Sequence, residues 1–455
     1  MSRHVSRRDM LNLLGASGVI AGLGVSRAAR ADDPVAAPRT ATGKVVSSSM
    51  HSPASVVDGK VVQPQRTLRV AAETDVLVVG GGPAGVAAAL AARRTGAKVL
   101  LVERYGHLGG LWTGGLVLIV IGMHAKGPDG KLIQVTRGIG EEMMQRLGKV
   151  HRGIVNHRLG ASPTVDAEAL KYVMVEMVAE AGVDVLLHSW CVDAIVDGKT
   201  AKGAIFESKS GRQAILAKVV IDASGDGDIY AAAGAEFEHH RFRTGLVHRI
   251  GNLDKVDRAK AKGAKPPRGL GGLTPIQGVN WVNMQGPEAD GLDVRDLSRL
   301  EMNHRRAIWR SVERVRQSPG YERAYLLETA PQLGVRITRL LTGVSRLTYK
   351  DSQAGTKFPD AIGVGGPWGR DKVGAWQIPY GCLVPRSVDG VLAAGRCISG
   401  ELRMADLLRI IPPCFVTGHA AGVAAAVSAK DGCPPRAVEV PKVQRILKEQ
   451  GAYLA

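Results

Sequence analysis

The chain has 455 residues, of which about 385 follow the N-terminal segments described below; that is more than one hydrophobic core usually serves, so two domains are expected. A hydrophobic content of 45 % with 57 glycines and 4 % aromatic residues suits an α/β protein with many tight turns. The net charge of +18 would suit a polyanionic partner, but the lysines and arginines are spread along the chain and no recognition motif gathers them, which argues against nucleic acid.

Residues 1–31 have the pattern of an export signal. Arg7 and Arg8 precede a weakly apolar run that is short for a bilayer span, and a small-x-small sequence stands at residues 29–31. The paired arginines resemble the twin-arginine signal of bacteria. The resemblance implies the twin-arginine translocase as an export partner, a periplasmic or otherwise exported location, and a cofactor that is loaded before export.

Residues 32–70 form a polar linker dotted with Pro and Ser. No later segment has the length and purity of a membrane helix, so no transmembrane segment is expected in the mature protein. The cysteines have no CxxC pair and no metal-ligand spacing, which predicts buried structural thiols and no metal site. These cysteines are Cys191, Cys382, Cys397, Cys414 and Cys433.

Residues 74–103 read TDVLVVGGGPAGVAAALAARRTGAKVLLVE and predict a strand, a helix and a second strand in order. The run Val76 to Val79 has the continuous apolar form of a parallel strand buried on both faces. An alanine-rich helix follows to about Thr95, and a second strand, Val99 to Val102, ends at Glu103.

The first turn of this unit carries the fingerprint of dinucleotide binding. Gly80, Gly82 and Gly85 would serve a tight turn, close approach of the backbone to a pyrophosphate, and close packing of helix on strand. The helix N-terminus would face the phosphates, and Glu103 would accept hydrogen bonds from a ribose hydroxyl. The alternative is a glycine-rich turn without a ligand, which leaves Glu103 unexplained.

The same fingerprint serves FAD and NAD, so later segments must decide between them. Short strands broken at Asp197-Gly198 lead to a strand that ends in VVIDASGDGDIYAAAGA, residues 219–235. A buried strand enters a glycine turn at residues 390–400, and a small-residue helix follows at 418–429. A fold that returns to its first domain after a long excursion fits the extended FAD molecule.

Two further segments lie between these parts of the FAD-type pattern. Residues 293–317 predict an amphipathic helix with Asp293 as N-cap and its arginines on a solvated face. Its apolar face would comprise Leu297, Leu300, Met302, Ile308, Val312 and Val315. The glycines of GVGGPWGR, residues 363–370, are predicted to have neither a strand before them nor a helix after them, so a second dinucleotide site for NAD(P)H is not expected.

Six blocks together resemble the FAD-dependent oxidoreductase family that is distantly similar to fumarate reductase flavoproteins. They are GGGPAG, VERYGHLGGLWTGGLV, VIDASGDGD, LGVRITRLLTG, WQIPYGCLVPRSVDGVLAAGRCIS and LLRIIPPCFVTGHAAGVAAA, within residues 75–454. The resemblance implies an α/β fold: a Rossmann-like FAD domain of the glutathione-reductase type with an inserted α+β substrate or cap domain. The corresponding boundaries are 71–235 and 371–455 for the FAD domain and 236–370 for the insertion.

The resemblance also implies specific contacts with FAD. The ADP half would meet Gly80, Gly82, Pro83, Ala84, Gly85 and Glu103. The pyrophosphate and flavin would meet Arg104, Gly109, Gly110, Gly395 and Arg396. The adenine would meet the backbone of Cys191 and Val192, and the second motif would close at Asp222 and Gly225. A helix start near Gly418 to Gly422, with Ala421, would point its dipole at the reduced flavin.

The catalytic candidates lie in the same blocks. Arg336 and Arg409 are predicted to be cations that face the substrate or the flavin, with a buried ion pair as the alternative for each. His124 and His248 could act as a base, with a structural role as the alternative. His107 could carry covalent flavin. Thr338 replaces a Glu that is common in relatives, so a relative's substrate is not carried over to this chain.

The sequence therefore predicts an exported FAD-dependent oxidoreductase, a dehydrogenase or reductase that transfers a hydride between a small organic molecule and flavin N5. Electrons would be exchanged with a quinone, a cytochrome or oxygen. One alternative is a flavin-containing electron carrier or accessory protein without substrate chemistry of its own. Another is a basic protein that keeps a degenerate fold and binds polyanions.

Overall fold

A computed structural model of the chain describes residues 54–127, 129–367 and 374–454. The predicted export signal and most of the linker lie outside these residues. In the described part, the first six strands of the central sheet are β1 (Val70–Val79), β2 (Val99–Val102), β3 (Asp184–Leu186), β4 (Trp190–Asp197), β5 (Thr200–Ser208) and β6 (Gly211–Asp222). Their spatial order is β4-β5-β6-β1-β2-β3.

The helices of the described residues, in chain order, are α1 (Pro83–Arg94), α2 (Ile139–Lys149), α3 (Ala167–Glu180), α4 (Asp228–Ala232), α5 (Arg258–Ala261), α6 (Val294–Arg316), α7 (Tyr349–Ala354), α8 (Leu402–Leu408), α9 (Ile411–Asp431) and α10 (Val440–Glu449).

The predicted strand–helix–strand unit is confirmed. Residues 76–79 of β1 are buried on both faces and pair in parallel with all of β2. Helix α1 starts at Pro83, where the missing N–H of proline costs no helical hydrogen bond, and ends with Thr95 as its C-cap. The hairpin of β4 and β5 turns at residues 198–199, close to the predicted break.

After β6 the chain leaves the central sheet and builds a second, antiparallel sheet. Its strands are β7 (His248–Gly251), β8 (Gly272–Leu273), β9 (Asn280–Val282) and β10 (Tyr325–Thr329), in the order β8-β9-β7-β10. The chain then returns as β11 (Val391–Ala393), which pairs in parallel with residues 220–222 of β6. Strand β6 also pairs with β1 in parallel, so β1, β6 and β11 end at the same edge of the sheet.

Short antiparallel pairs complete the described strands. They are Ser55–Val57 with Lys60–Val62, His124–Lys126 with Leu132–Gln134, Ile154–Val155 with Thr164–Val165, Phe237–His239 with Arg339–Leu341, Phe242–Arg243 with Glu288–Ala289, and Ala361–Gly365 with Trp376–Pro379. The last pair corrects the prediction for GVGGPWGR, because a strand does lead into those glycines.

Helix α6 largely matches its prediction. The Asp293 side chain accepts a hydrogen bond from the Arg295 amide and caps the helix. Met302, however, is 57 % exposed, and His304 is buried in its place on the inner face. The spacing of Leu300, His304 and Ile308 follows the helical period, whereas Met302 falls half a turn away from it.

Helix α9 packs directly on α1 and corrects a predicted helix start. It begins at Ile411 rather than near Gly418. A Cβ on Gly418 would lie 2.1 Å from the Ala84 carbonyl oxygen, and one on Gly422 would lie 2.2 Å from that of Ala88. These glycines serve close helix–helix contact, because any side chain would force the two backbones apart.

Helix α9 differs from the expectation that no later segment has the length and apolar composition of a membrane helix. Among the described residues, it alone is long and apolar enough to cross a membrane, but 94 % of its most apolar window is buried inside the protein. Its apolar character therefore matches a core helix, consistent with its contact with α1.

One large hydrophobic cluster contains buried residues of the central sheet, and Trp281 of β9 and Leu326 of β10 pack against it. The domain boundaries at residues 71, 236 and 371 therefore remain a prediction. The thiols match the expectation: all five cysteines are free, and all but the partly buried Cys433 are buried.

Candidate active site

A cavity of about 810 Å³ opens at the carboxyl edge of the central sheet. The loops after β1, β2, β6 and β11 supply one wall, with Gly82, Glu103, Asp226 and Arg396 among its residues. Ligands in α/β folds bind at this edge, where the parallel strands end together. The other wall comes from the part of the chain between β6 and β11, called the excursion below. Its lining residues include Phe242, Arg243, Trp281, Gln332, Leu333 and Arg336.

The glycines of the turn after β1 let the protein backbone pack closely on itself. Gly80 has φ 101°, and a Cβ there would lie 2.5 Å from the Ala223 carbonyl oxygen. A Cβ on Gly85 would lie 1.8 Å from the Gly80 oxygen, so only glycine permits this turn. Gly82 starts α1 without a side-chain cap, and the first turn contains no acid. The free N–H groups at the helix start therefore suit a phosphate.

Glu103 is held at the end of β2 by backbone amides. Its Oε2 accepts from the Gly81 amide at 2.6 Å, and its Oε1 accepts from the Tyr105 amide at 2.9 Å. The carboxylate is 5 % exposed and lines the cavity. Each oxygen has a second lone pair, which is compatible with the predicted bond from a ribose hydroxyl.

Asp222 shapes the second motif from behind the cavity wall. It is fully buried and accepts from the Ser224 hydroxyl and from the amides of Ile229 and Tyr230. Burial raises the pKa of Asp222, and these hydrogen bonds oppose the rise. Asp222 is absent from the cavity lining, so it acts by holding the loop that follows β6.

Asp226 is the acid of this motif that faces the cavity, and the sequence analysis missed it. Its Oδ1 contacts the Arg396 guanidinium at 2.8 Å and accepts from the Thr338 hydroxyl at 2.8 Å. The available signal was the first Asp of the SGDGD run, four residues after Asp222. The pair ties the loop after β6 to the loop after β11.

Three buried N–H donors of the lining residues have no hydrogen-bond partner in the described part of the chain. They are Trp112 Nε1, Gln332 Nε2 and Arg396 Nε. Unpartnered buried donors are costly, so a ligand rich in acceptors fits this cavity. FAD, with its pyrophosphate and its flavin carbonyls, has such acceptors, and the residues present therefore fit it.

Most of the predicted cofactor residues come together at the cavity. Those that line it are Gly80, Gly82, Pro83, Ala84, Glu103, Arg104, Gly110, Gly225, Gly395 and Arg396. Those outside its lining are Gly85, Gly109, Val192, Asp222, Gly418 and Ala421. Val192 is 40 % exposed on β4, while Gly418 and Ala421 are buried inside α9.

Helix α9 still directs its N-terminus at the cavity, but with different residues from those predicted. Ile410, Ile411 and Cys414 line the cavity. Pro412 and Pro413 occupy the first turn and have no N–H. The helix dipole remains, whereas the number of amide donors at this end is reduced.

The two candidate arginines both line the cavity but differ in their contacts. Arg409 Nε donates to Asp406 Oδ1 at 2.7 Å, which matches the ion-pair alternative. Arg336 is half-buried and makes no hydrogen bond or ion pair with any described residue. Burial, followed by the charges of Arg409 and Arg243, lowers the pKa of Arg336, and only Asp406 opposes this.

The candidate histidines lie outside the cavity lining. His124 sits in the hairpin with Leu132–Gln134, and burial and then His157 lower its pKa. His107 lies with Nδ1 3.3 Å from the Thr113 hydroxyl. His248 is 3 % exposed in β7, and burial lowers its pKa to about 4. These positions agree with structural roles.

Comparison with known proteins identifies related sequences. The sequence model described as FAD dependent oxidoreductase matches residues 75–265 and 252–447. Digeranylgeranylglycerophospholipid reductase 1 of Methanopyrus kandleri is 30 % identical over 161 residues, which are 34 % of this chain and 40 % of that protein. Thiamine thiazole synthase of Aeropyrum pernix is 45 % identical over 62 residues, 13 % of this chain and 22 % of that protein. The chain thus spans less than half of either relative.

Comparison with solved structures found two further distant likenesses. A geranylgeranyl bacteriochlorophyll reductase-like protein from Thermoplasma acidophilum has a TM-score of 0.44 and 16 % identity, with 84 % of each chain covered. The flavin-dependent brominase Bmp2 has a TM-score of 0.44 and 14 % identity, with 83 % of each chain covered.

Proposed function

The chain belongs to the FAD-dependent oxidoreductase family, and on that premise we propose that it is an exported enzyme that oxidises or reduces a small organic substrate in the cavity described above. FAD, when bound, supplies hydride transfer to or from flavin N5. The observation that carries the proposal is that one cavity joins the cofactor loops to the wall built by the excursion. A carrier of electrons would not need that second wall.

The residues that would hold FAD lie on rigid strand ends. The amides at the start of α1 would bind the pyrophosphate, and Glu103 would orient the ribose. Arg396, paired with Asp226, would add a positive charge beside the phosphates. Arg104 lies over the Tyr105 ring, with its guanidinium carbon 4.9 Å from the ring centroid, and would extend this charged wall.

The excursion would supply the substrate side. Trp281 and Phe242 provide apolar surface, and Gln332 offers an amide without a partner among the described residues. These groups would exclude water and orient a small molecule. Residues 1–31 support export, because their pattern resembles the twin-arginine signal. The glutathione-reductase type of the FAD domain and its electron partner, a quinone, a cytochrome or oxygen, belong to the same proposal.

The test begins with the visible spectrum of the purified mature protein before and after denaturation. We expect a flavin spectrum that is released on denaturation, since His107 lies outside the cavity lining. Anaerobic bleaching of the flavin by a panel of metabolites would then identify a donor. Bound flavin without any donor or acceptor would favour the electron carrier. Failure to bind FAD, together with salt-dependent retention on a polyanion, would overturn the proposed enzyme function and favour the polyanion-binding protein.

A further inference from the structure

Four of the five described acids that line the cavity are already engaged by backbone amides or by arginines. Of the lining acids in the described residues, Glu103 accepts from backbone amides, Asp226 pairs with Arg396 and Asp406 pairs with Arg409. A fourth, Glu301, pairs with Arg305. The fifth, Glu288, is exposed and lies opposite Arg243 across the short strand pair.

Arg336 is the half-buried lining cation that this network leaves out. No described carboxylate lies within ion-pair distance of it, and no described group accepts a hydrogen bond from it. Asp406 is the acid near enough to influence Arg336, but Asp406 is already bound by Arg409 through two nitrogens. Arg243 and Arg409 add further positive charge around Arg336.

This arrangement leaves the Arg336 guanidinium without a counter-ion among the described residues. Taking a guanidinium partly out of water without a counter-ion is unfavourable, and two neighbouring cations increase the cost. An anionic ligand group would remove both penalties. A guanidinium matches a carboxylate well, because two parallel N–H groups can donate to its two oxygens.

Apolar side chains line the same cavity. They include Phe242, Trp281 and Ile410. A ligand bound to Arg336 would therefore place its charged group at the guanidinium and its carbon skeleton against these side chains.

Resting on the proposed function, we propose that Arg336 is the substrate-anchoring residue and that the substrate is a carboxylic acid in its anionic form with an apolar body. Arg409 and Asp406 hold the adjoining wall in place. Arg243, exposed at the strand pair with Glu288, adds positive potential that attracts the anion.

The test uses the FAD-loaded protein and follows the visible spectrum of the flavin during titration. The probes are benzoate and the straight-chain acids from acetate to octanoate, each compared with its neutral amide, together with phenyl phosphate. We expect at least one carboxylate to perturb the spectrum while its amide does not. In Arg336→Gln, the dissociation constant should rise about 10- to 100-fold, with a smaller rise in Arg336→Lys.

Arg346→Gln is the matched control, because Arg346 is exposed, pairs with Glu238 and lies outside the cavity lining. Its carboxylate affinity should equal that of the parent. Chemical denaturation provides a second measurement. Arg336→Gln should be as stable as the parent or more so, since an unpaired charge is removed; a marked loss would identify a structural role for Arg336 and overturn the proposal.

The remaining outcomes separate the two proposals. FAD binding with equal affinity for acids and amides, or unchanged carboxylate affinity in Arg336→Gln, overturns the carboxylate inference and leaves the flavoenzyme intact. Preference for phenyl phosphate over benzoate overturns it in favour of a phosphate ester. Absence of bound flavin in the parent overturns the proposed function and this inference together.

Discussion

Asp226 and Arg396 form an ion pair of 2.8 Å although they stand 170 residues apart in the chain. The two side chains are only 12 % and 16 % exposed. The pair joins the loop after β6 to the loop after β11. It therefore holds together two loops that line the cavity at the carboxyl edge of the central sheet.

Removing one partner of this pair should destabilise the protein. We expect Asp226→Asn to lower the unfolding free energy of the FAD-free protein by about 3 kcal/mol, because Arg396 loses its counter-ion in a largely buried site. Urea denaturation measures this. Glu449→Gln, which removes an exposed ion pair with Arg445, should change stability by less than about 1 kcal/mol. In a double-mutant cycle with Arg396→Gln, a coupling energy near zero would contradict the interpretation.

Replacing a helical glycine by alanine should have opposite effects on stability inside and outside the contact of α9 with α1. Gly418→Ala should cost about 2 kcal/mol or more, because its Cβ would meet the Ala84 backbone at 2.1 Å. Gly148→Ala, in α2, should stabilise by about 0.5–1 kcal/mol, since no atom lies within 4 Å of its Cβ position. Thermal unfolding compares the two, and equal effects would disprove the packing argument.

Because Glu103 holds the Gly81 and Tyr105 amides, we expect it to affect the affinity for FAD. Glu103→Ala removes the acceptor of two backbone amides and the predicted partner of the ribose, so FAD affinity should fall about 10- to 100-fold. Flavin fluorescence during titration of the FAD-free protein measures this. Glu73→Ala, exposed in β1, should leave FAD affinity unchanged. Equal affinities in all three proteins would exclude Glu103 from the cofactor site.

His248 predicts a loss of stability in mild acid. Its folded-state pKa of about 4 lies below the ordinary value of 6.5, so only the unfolded chain takes up this proton between the two values. Stability therefore falls as the pH falls from about 6.5 to 4, by up to about 3 kcal/mol. His248→Phe should remove that part of the fall. Urea denaturation at several pH values measures it, with pH 8 reporting any packing defect separately; parallel profiles below pH 6.5 would contradict the assignment.

The strand–turn–helix unit at the first glycine cluster could be predicted because its constraints are local. A buried apolar run, glycines at fixed spacing and an acid at the end of the next strand all fall within residues 74–103. Helix α6 was predictable for the same reason, from its N-cap Asp293 and from the helical spacing of its apolar residues. The start of α9 was not, because Ile411 to Pro413 continue an apolar run whose helical state depends on contact with the rest of the core.

The features of the candidate site fall into the same two groups, those that a local motif predicts and those that depend on tertiary contacts. The motifs were sufficient to predict the family and the cofactor, since they report which backbone turns can approach a dinucleotide. They also made Arg336 and Arg409 candidates for the site, with an ion pair as the alternative for each. The three-dimensional contacts were needed to show that Asp226 rather than Asp222 faces the cavity, that Arg409 has a counter-ion and that Arg336 has none among the described residues. Those distinctions depend on side chains brought together from distant parts of the chain, and the strength of a charge interaction depends on distance and burial, which no local pattern contains.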